Sequence, residues 1–101
     1  MKKVFVCSPL KGNTEENIRK AKRYCTYVVA CGYLPVAPHV YFTTFLEDSN
    51  AEEREIGMTM GLELLLLCDE LWIFGKESEG MKTEIMQASK QGIMIIKKEM
   101  V

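Results

Sequence analysis

The chain has one histidine, His39, and no two cysteines spaced two residues apart. A zinc site needs several such ligands at set spacings, so no metal is expected, and no other cofactor signature is present. The four cysteines, Cys7, Cys25, Cys31 and Cys68, each lie in an apolar segment and read as reduced, partly buried thiols. No apolar run reaches the ~18 residues of a membrane span. The basic start, Met1-Lys-Lys-Val-Phe-Val, is broken at Ser8, Pro9 and Gly12 before it could serve as a secretory signal, so a cytoplasmic protein without membrane contact is expected. Lysines and arginines form no basic stripe and the formal net charge is −1, which gives no reason to expect a nucleic-acid partner. Repeats, low-complexity stretches and internal linkers are also missing. What remains is 101 residues, 48% hydrophobic and 27% charged, the make-up of a single small globular domain over residues 1–101.

Short apolar runs alternate with helical patterns along the chain. Lys3 to Cys7 reads as a buried strand that ends in the loop Ser8-Pro-Leu-Lys-Gly-Asn13. Asn13 followed by Glu16 fits a capping box, with Thr14 as another possible cap. Ile18, Ala21, Cys25, Val28 and Val29 recur at spacings of three and four, which predicts a helix from about Glu15 to Ala30, stopped by Gly32. Leu34 to Pro38 is a second strand, and its two prolines favour an edge position. His39 to Phe45 reads as a loop with one helical turn. A helix follows from about Ala51 to Cys68, with glutamates in its first turn. Glu70 to Phe74 is the third strand, Met81 to Gln91 the third helix, Ile93 to Ile96 the last strand, and Lys97 to Val101 a polar tail.

That order predicts an α/β fold. The strands are unbroken apolar runs, as when helices cover both faces of a parallel sheet. The expected architecture is a small Rossmann-like, flavodoxin-like three-layer sandwich with about four parallel strands in the order 2-1-3-4. Its switch point lies between the first and third strands, where ligands of open α/β sheets bind. The Ser8–Asn13 loop and the Lys76–Gly80 loop would then flank one crevice.

Each loop has a functional reading and a plain one. In Ser8-Pro-Leu-Lys-Gly12-Asn13, backbone amides, the Ser8 hydroxyl and Lys11 could hold a phosphate or a sugar hydroxyl; the alternative is an ordinary strand-to-helix turn. Ser78 and the neighbouring amides can donate hydrogen bonds, Gly80 allows close approach to the backbone, and Glu84 could serve as nucleophile or base. The sequence puts Glu84 in the first helical turn, where the helix N-terminus would keep it ionised. The alternative is a capped helix with a surface glutamate. His39 lies where it could line the crevice from the side, or be merely structural. Tyr41 and Phe42 could stack on a base, whereas Tyr24, Tyr27, Tyr33 and Trp72 read as packing. Gly57 and Gly61 share one helix face, so something packs closely there: ligand, sheet or subunit. Leu62 and Leu64 to Leu67 make the end of that helix apolar nearly all round, which points to a homodimer or higher homo-oligomer through Gly57–Leu67, or else to burial under the His39–Phe45 segment.

Three stretches resemble the nucleoside 2-deoxyribosyltransferase-like family, which includes the 2'-deoxynucleoside 5'-phosphate N-hydrolases and small phage and bacterial relatives. Val4-Phe-Val-Cys-Ser-Pro-Leu-Lys-Gly12 is similar to the family's first strand and Ser-x-x-x-Gly turn. Val36-Ala-Pro-His39 resembles the exit of its second strand. Cys68-Asp-Glu-Leu-Trp-Ile-Phe-Gly, with Ser78, Gly80 and Glu84, resembles its third strand and Ser-x-Gly-x-x-x-Glu motif. The resemblance implies a nucleoside or nucleotide partner, with the residue matching Glu84 attacking C1' of the (deoxy)ribose and displacing the base. It also implies that the residues matching Ser8, Gly12, Ser78 and Gly80 help hold sugar or 5'-phosphate; Leu10, Lys11, Asn13 and His39 are further substrate-binding candidates beside them. One position departs. Active members carry an aspartate eight residues ahead of the position matching Asp69, and here that residue is Gly61. Unless Glu55 or Glu63 substitutes, an acid that helps the base depart is missing. The resemblance therefore also allows a weak or inactive protein that binds a nucleotide or ADP-ribose-type signal, as in phage–host conflict.

Overall fold

The computed structural model describes residues 1–99. Strand β1 (Lys3–Cys7) leads into helix α1 (Thr14–Ala30), then β2 (Leu34–Val36), a short helix α2 (Pro38–Tyr41) and a 3-10 turn at Phe42–Thr44. Helix α3 (Ala51–Leu65), β3 (Glu70–Phe74), α4 (Glu79–Lys90) and β4 (Met94–Lys98) complete the chain. The four strands form one parallel sheet in the order β2-β1-β3-β4. The expected strand order is therefore the observed one, and β2 with its Pro35 lies at an edge, where a missing N–H is tolerated.

Strand alternation builds two cores from the same short runs. Phe5, Cys7, Leu71 and Ile73 face α3 and α4, meeting Leu65, Met81 and Ala88. Val4, Val6, Trp72 and Phe74 face α1 and pack on Val28. All five residues of β3 are buried because both faces of that strand are covered. The aromatic residues expected to pack do so: Tyr24 stacks on Phe74 at 4.4 Å between ring centroids, and Tyr33 meets Trp72 edge-on.

Several boundaries move, each for a local reason. Asn13 caps α1 by accepting from the Glu16 amide, but the Glu16 carboxylate pairs with Arg19, so the capping box is only half made. The first turn of α4 starts at Glu79, two residues earlier than expected, because Ser78 is the N-cap. Helix α3 stops at Leu65, short of Cys68. His39 to Phe45 forms two short helical turns. The ladder with β3 extends through Phe74 opposite Lys98, so Lys97 and Lys98 belong to β4. The Lys98 amine sits 4.1 Å from the centroid of Trp72, a cation–π contact that converts part of the expected polar tail into strand. Met100 and Val101, the end of that tail, lie outside the described residues. No described helix is long and apolar enough to cross a membrane.

Candidate functional site

β1 and β3 are neighbours, while the chain leaves them in opposite directions along the sheet. The loops beyond their carboxyl ends therefore splay apart, and a cleft opens between them. Leu10 and Lys11 of the β1–α1 loop form one wall. Pro38, His39 and Phe42 form a second, and Gly57, Met58 and Gly61 of α3 a third. The fourth comes from α4, with Ser78, Gly80, Met81 and Glu84. Asp48, Glu53 and Arg54 stand where the chain enters α3.

Glu84 is the cleft's unusual group. It is only 4% exposed, and its Oε1 accepts a hydrogen bond from the Cys7 thiol, with Sγ at 3.3 Å. Burial pushes its pKa up to about 7, with the thiol's hydrogen bond acting weakly in the other direction. This corrects the sequence expectation. Because Ser78 starts the helix early, Glu84 falls on the second turn of α4, beyond the reach of the N-terminal amides that were to keep it ionised. Desolvation governs its charge instead.

At the helix start, the Ser78 hydroxyl accepts from the Met81 amide at 3.4 Å, and the Ser78 N–H meets the Met81 sulfur at 3.4 Å. Ser78 is therefore committed to capping α4, with its hydroxyl proton still available. Gly80 sits where α4 passes over α3. A Cβ there would stand 3.3 Å from the Met58 methyl, so its small size serves helix packing as well as the cleft wall.

His39 ties two walls together. Its Nε2 lies 2.7 Å from the Ser8 carbonyl oxygen. A carbonyl only accepts, so Nε2 carries the proton and Nδ1 is left as an acceptor. Burial lowers the His39 pKa, opposed by the Ser8 carbonyl and the charge of Asp48. The ring is held neutral around physiological pH.

The remaining candidates divide. Leu10 and Lys11 line the cleft, but Ser8, Gly12 and Asn13 do not. Ser8 is buried with an unpartnered hydroxyl, Gly12 is an exposed turn residue at φ +107°, and Asn13 is the α1 cap. Phe42 reaches the cleft, whereas Tyr41 is exposed and packs against Phe42 and Phe45. Gly57 and Gly61 face Leu46 and Pro38 respectively, and both line the cleft. Glu55 and Glu63 are exposed and stay outside the cleft, so neither fills the place left by Gly61. Three charged cleft residues were not singled out from the sequence: Asp48, Glu53 and Arg54. Asn50 and Glu53 carried a usable signal, the spacing of a helix cap, and the Asn50 side chain does accept from the Glu53 amide at 3.0 Å.

A parallel four-stranded α/β sandwich with a buried acid in its switch-point cleft belongs to the class whose ligands lie beyond the carboxyl ends of the strands. More particularly, the chain belongs to the family described as a domain of unknown function (DUF7768), whose model matches residues 2–98. No curated protein matches it in sequence. Among solved structures, the 2-deoxyribosyltransferase of the psychrotolerant bacterium Bacillus psychrosaccharolyticus aligns with a TM-score of 0.72, over 98% of this chain and 76% of that one. That enzyme is described as a biocatalyst for the synthesis of antiviral and antitumoral nucleosides. Identity between the two is 16%, so the likeness is one of fold.

Proposed function

We propose that the cleft takes a nucleoside or nucleotide and that Glu84 is its reactive group. The observation that carries this reading is a carboxyl buried at the switch point with its pKa raised to about 7. An acid kept there at a cost to folding, in a cleft, is a strong candidate for chemistry. The shared fold with a 2-deoxyribosyltransferase supports the same choice of substrate. In its ionised form, a Glu84 oxygen attacks C1' of the (deoxy)ribose. A C–O bond forms as the glycosidic C1'–N bond breaks, and the bonding pair leaves with the base, which takes up a proton. Water or a second base then releases the sugar from the enzyme. Lys11 and the start of α4 at Ser78 and Gly80 hold the sugar or a 5'-phosphate, and His39 Nδ1 offers an acceptor to a sugar hydroxyl.

Chromatographic measurement of free base from a panel of nucleosides and 5'-nucleotides tests this. Release should occur from at least one substrate and disappear in Glu84→Ala. Below pH 7, kcat/KM should rise about tenfold per pH unit and then level off, because only the ionised acid attacks. Absence of release from every substrate, or release unaffected by the substitution, refutes the reading.

Gly61 favours a second reading, in which the cleft binds a nucleotide-type signal without turning it over, because no carboxyl projects from that position of α3. Calorimetry would then show stoichiometric binding with the ligand recovered intact.

We also propose that the end of α3 forms a homo-oligomer contact. Leu66 and Leu67, directly after its last residue, are 50% and 68% exposed. Sedimentation at micromolar concentration should give a dimer or larger species, and Leu66→Glu with Leu67→Glu should give a monomer. A monomeric native protein would reject the contact.

A further inference from the structure

Cys7 ends β1 with its side chain on the α3–α4 face of the sheet, fully buried. Strand alternation places it there, sharing a face with Phe5 while Val4 and Val6 take the other. Its Sγ has two acceptors in range: Oε1 of Glu84 at 3.3 Å and the Met81 carbonyl at 3.9 Å. The carboxyl oxygen is the nearer. Among the described residues, no other hydrogen bond holds the Glu84 side chain. Oε1 is thus tied to the sheet, and Oε2 has no hydrogen-bond partner among the described residues.

We propose that Cys7 is the positioning residue for Glu84: its thiol anchors Oε1 to the end of β1, which fixes the carboxyl plane and presents Oε2 to the bound ligand. The inference rests on Glu84 being the reactive group of the cleft. Burial and the nearby carboxyl raise the Cys7 pKa far above the ordinary thiol range, so the group stays protonated and keeps a proton to donate. A thiol is a weaker donor than a hydroxyl or an amide. It orients the carboxyl while only partly offsetting the effect of burial, which leaves Glu84 able to change charge near neutral pH. A stronger donor would shift the balance further toward the ionised form. The other charged or titratable groups around the cleft are Lys11, His39, Asp48, Glu53 and Arg54, with Glu77 on the β3–α4 loop, and none of them hydrogen-bonds Glu84.

The test is a ¹³C NMR titration of the Glu84 side-chain carboxyl in the full chain, with its signal assigned by Glu84→Gln. Cys7→Val stays apolar, is slightly larger and removes the donor; Cys7→Ser is close in size and supplies a stronger one. The midpoint should rise by about half a unit or more in Cys7→Val and fall by a similar amount in Cys7→Ser. A change of sign that follows donor strength is not what altered packing would produce. Coincident curves, or shifts of the same sign, overturn the inference. If Cys7→Val fails to fold, Cys7→Ser decides alone, since an unshifted or raised midpoint there overturns it. The titration needs no turnover. Shifts as stated in a protein that releases no base would remove the glycosidase reading and leave Cys7 as the anchor of Glu84. Coincident curves in an active protein would remove only the present inference.

Discussion

Glu84→Gln is expected to stabilise the protein by about 3 kcal/mol at pH 9 and to leave it nearly unchanged below pH 4.5. The sign follows from the direction of the shift. Folding raises the Glu84 pKa from 4.5 to about 7, so the folded state prefers the protonated acid. That preference contributes its full stability below the unfolded pKa of 4.5. It is lost as pH rises through 7, where the buried group must ionise. Glutamine never ionises, and its amide oxygen can still accept from Cys7. Urea unfolding of both proteins at pH 4.5, 7 and 9 checks this, and the gap between them should widen with pH. Equal stabilities at pH 9 would mean that Glu84 is not buried as an ionisable group. His39 acts at the other end of the scale. Its lowered pKa disfavours the charged ring in the folded state, so its contribution is present above the unfolded value of 6.5 and is lost as pH falls from there through the lower folded value. A stabilising substitution that removed activity would identify Glu84 as a group retained for function at the expense of folding.

The frame of this protein is legible from sequence because it is set by local pattern. Val4 to Cys7 and Leu71 to Phe74 are apolar runs too short for helices, and the turn residues around them leave little freedom. The strand order follows once those runs are paired as a parallel sheet. The charge on Glu84 was not legible. Sequence shows a glutamate near a helix start and suggests an ionised one; the Ser78 cap and the depth of the cleft reverse that, and depth is a tertiary property. Asp48, Glu53 and Arg54 escaped notice for a related reason. They join the cleft only because the chain after the Pro38–Thr44 turns brings the start of α3 beside His39 and Phe42. Lys98 is similar: nothing local says that its amine will lie on Trp72, 26 residues earlier in the chain.

Gly61→Asp is expected to speed base release by roughly 10²-fold or more, within the 10²–10⁴-fold range of general acid catalysis. Position 61 lines the cleft, on the wall formed by α3. A Cβ there would meet Pro38 at 3.6 Å, which is ordinary contact, so the first atom of a side chain fits without displacing that residue. Removing a glycine from a helix interior offsets a little of the penalty of burying a new acid. The new carboxyl would share a poorly solvated space with Glu84, and like charges resist ionising together. One of the two keeps its proton at neutral pH. If the introduced carboxyl keeps it, the leaving base gains a donor while Glu84 is free to attack; if Glu84 keeps it, the rate falls. The pH profile separates these cases, because the productive arrangement adds an alkaline limb to the acid limb that Glu84 already provides. Gly61→Asn has nearly the same shape and no acid, so it serves as the control. Single-turnover release should be faster for Gly61→Asp than for Gly61→Asn. Equal rates in two folded proteins would show that a missing acid is not what limits this cleft. Ligand binding that persists in both, without release, would then leave the signal-binding reading as the one that fits.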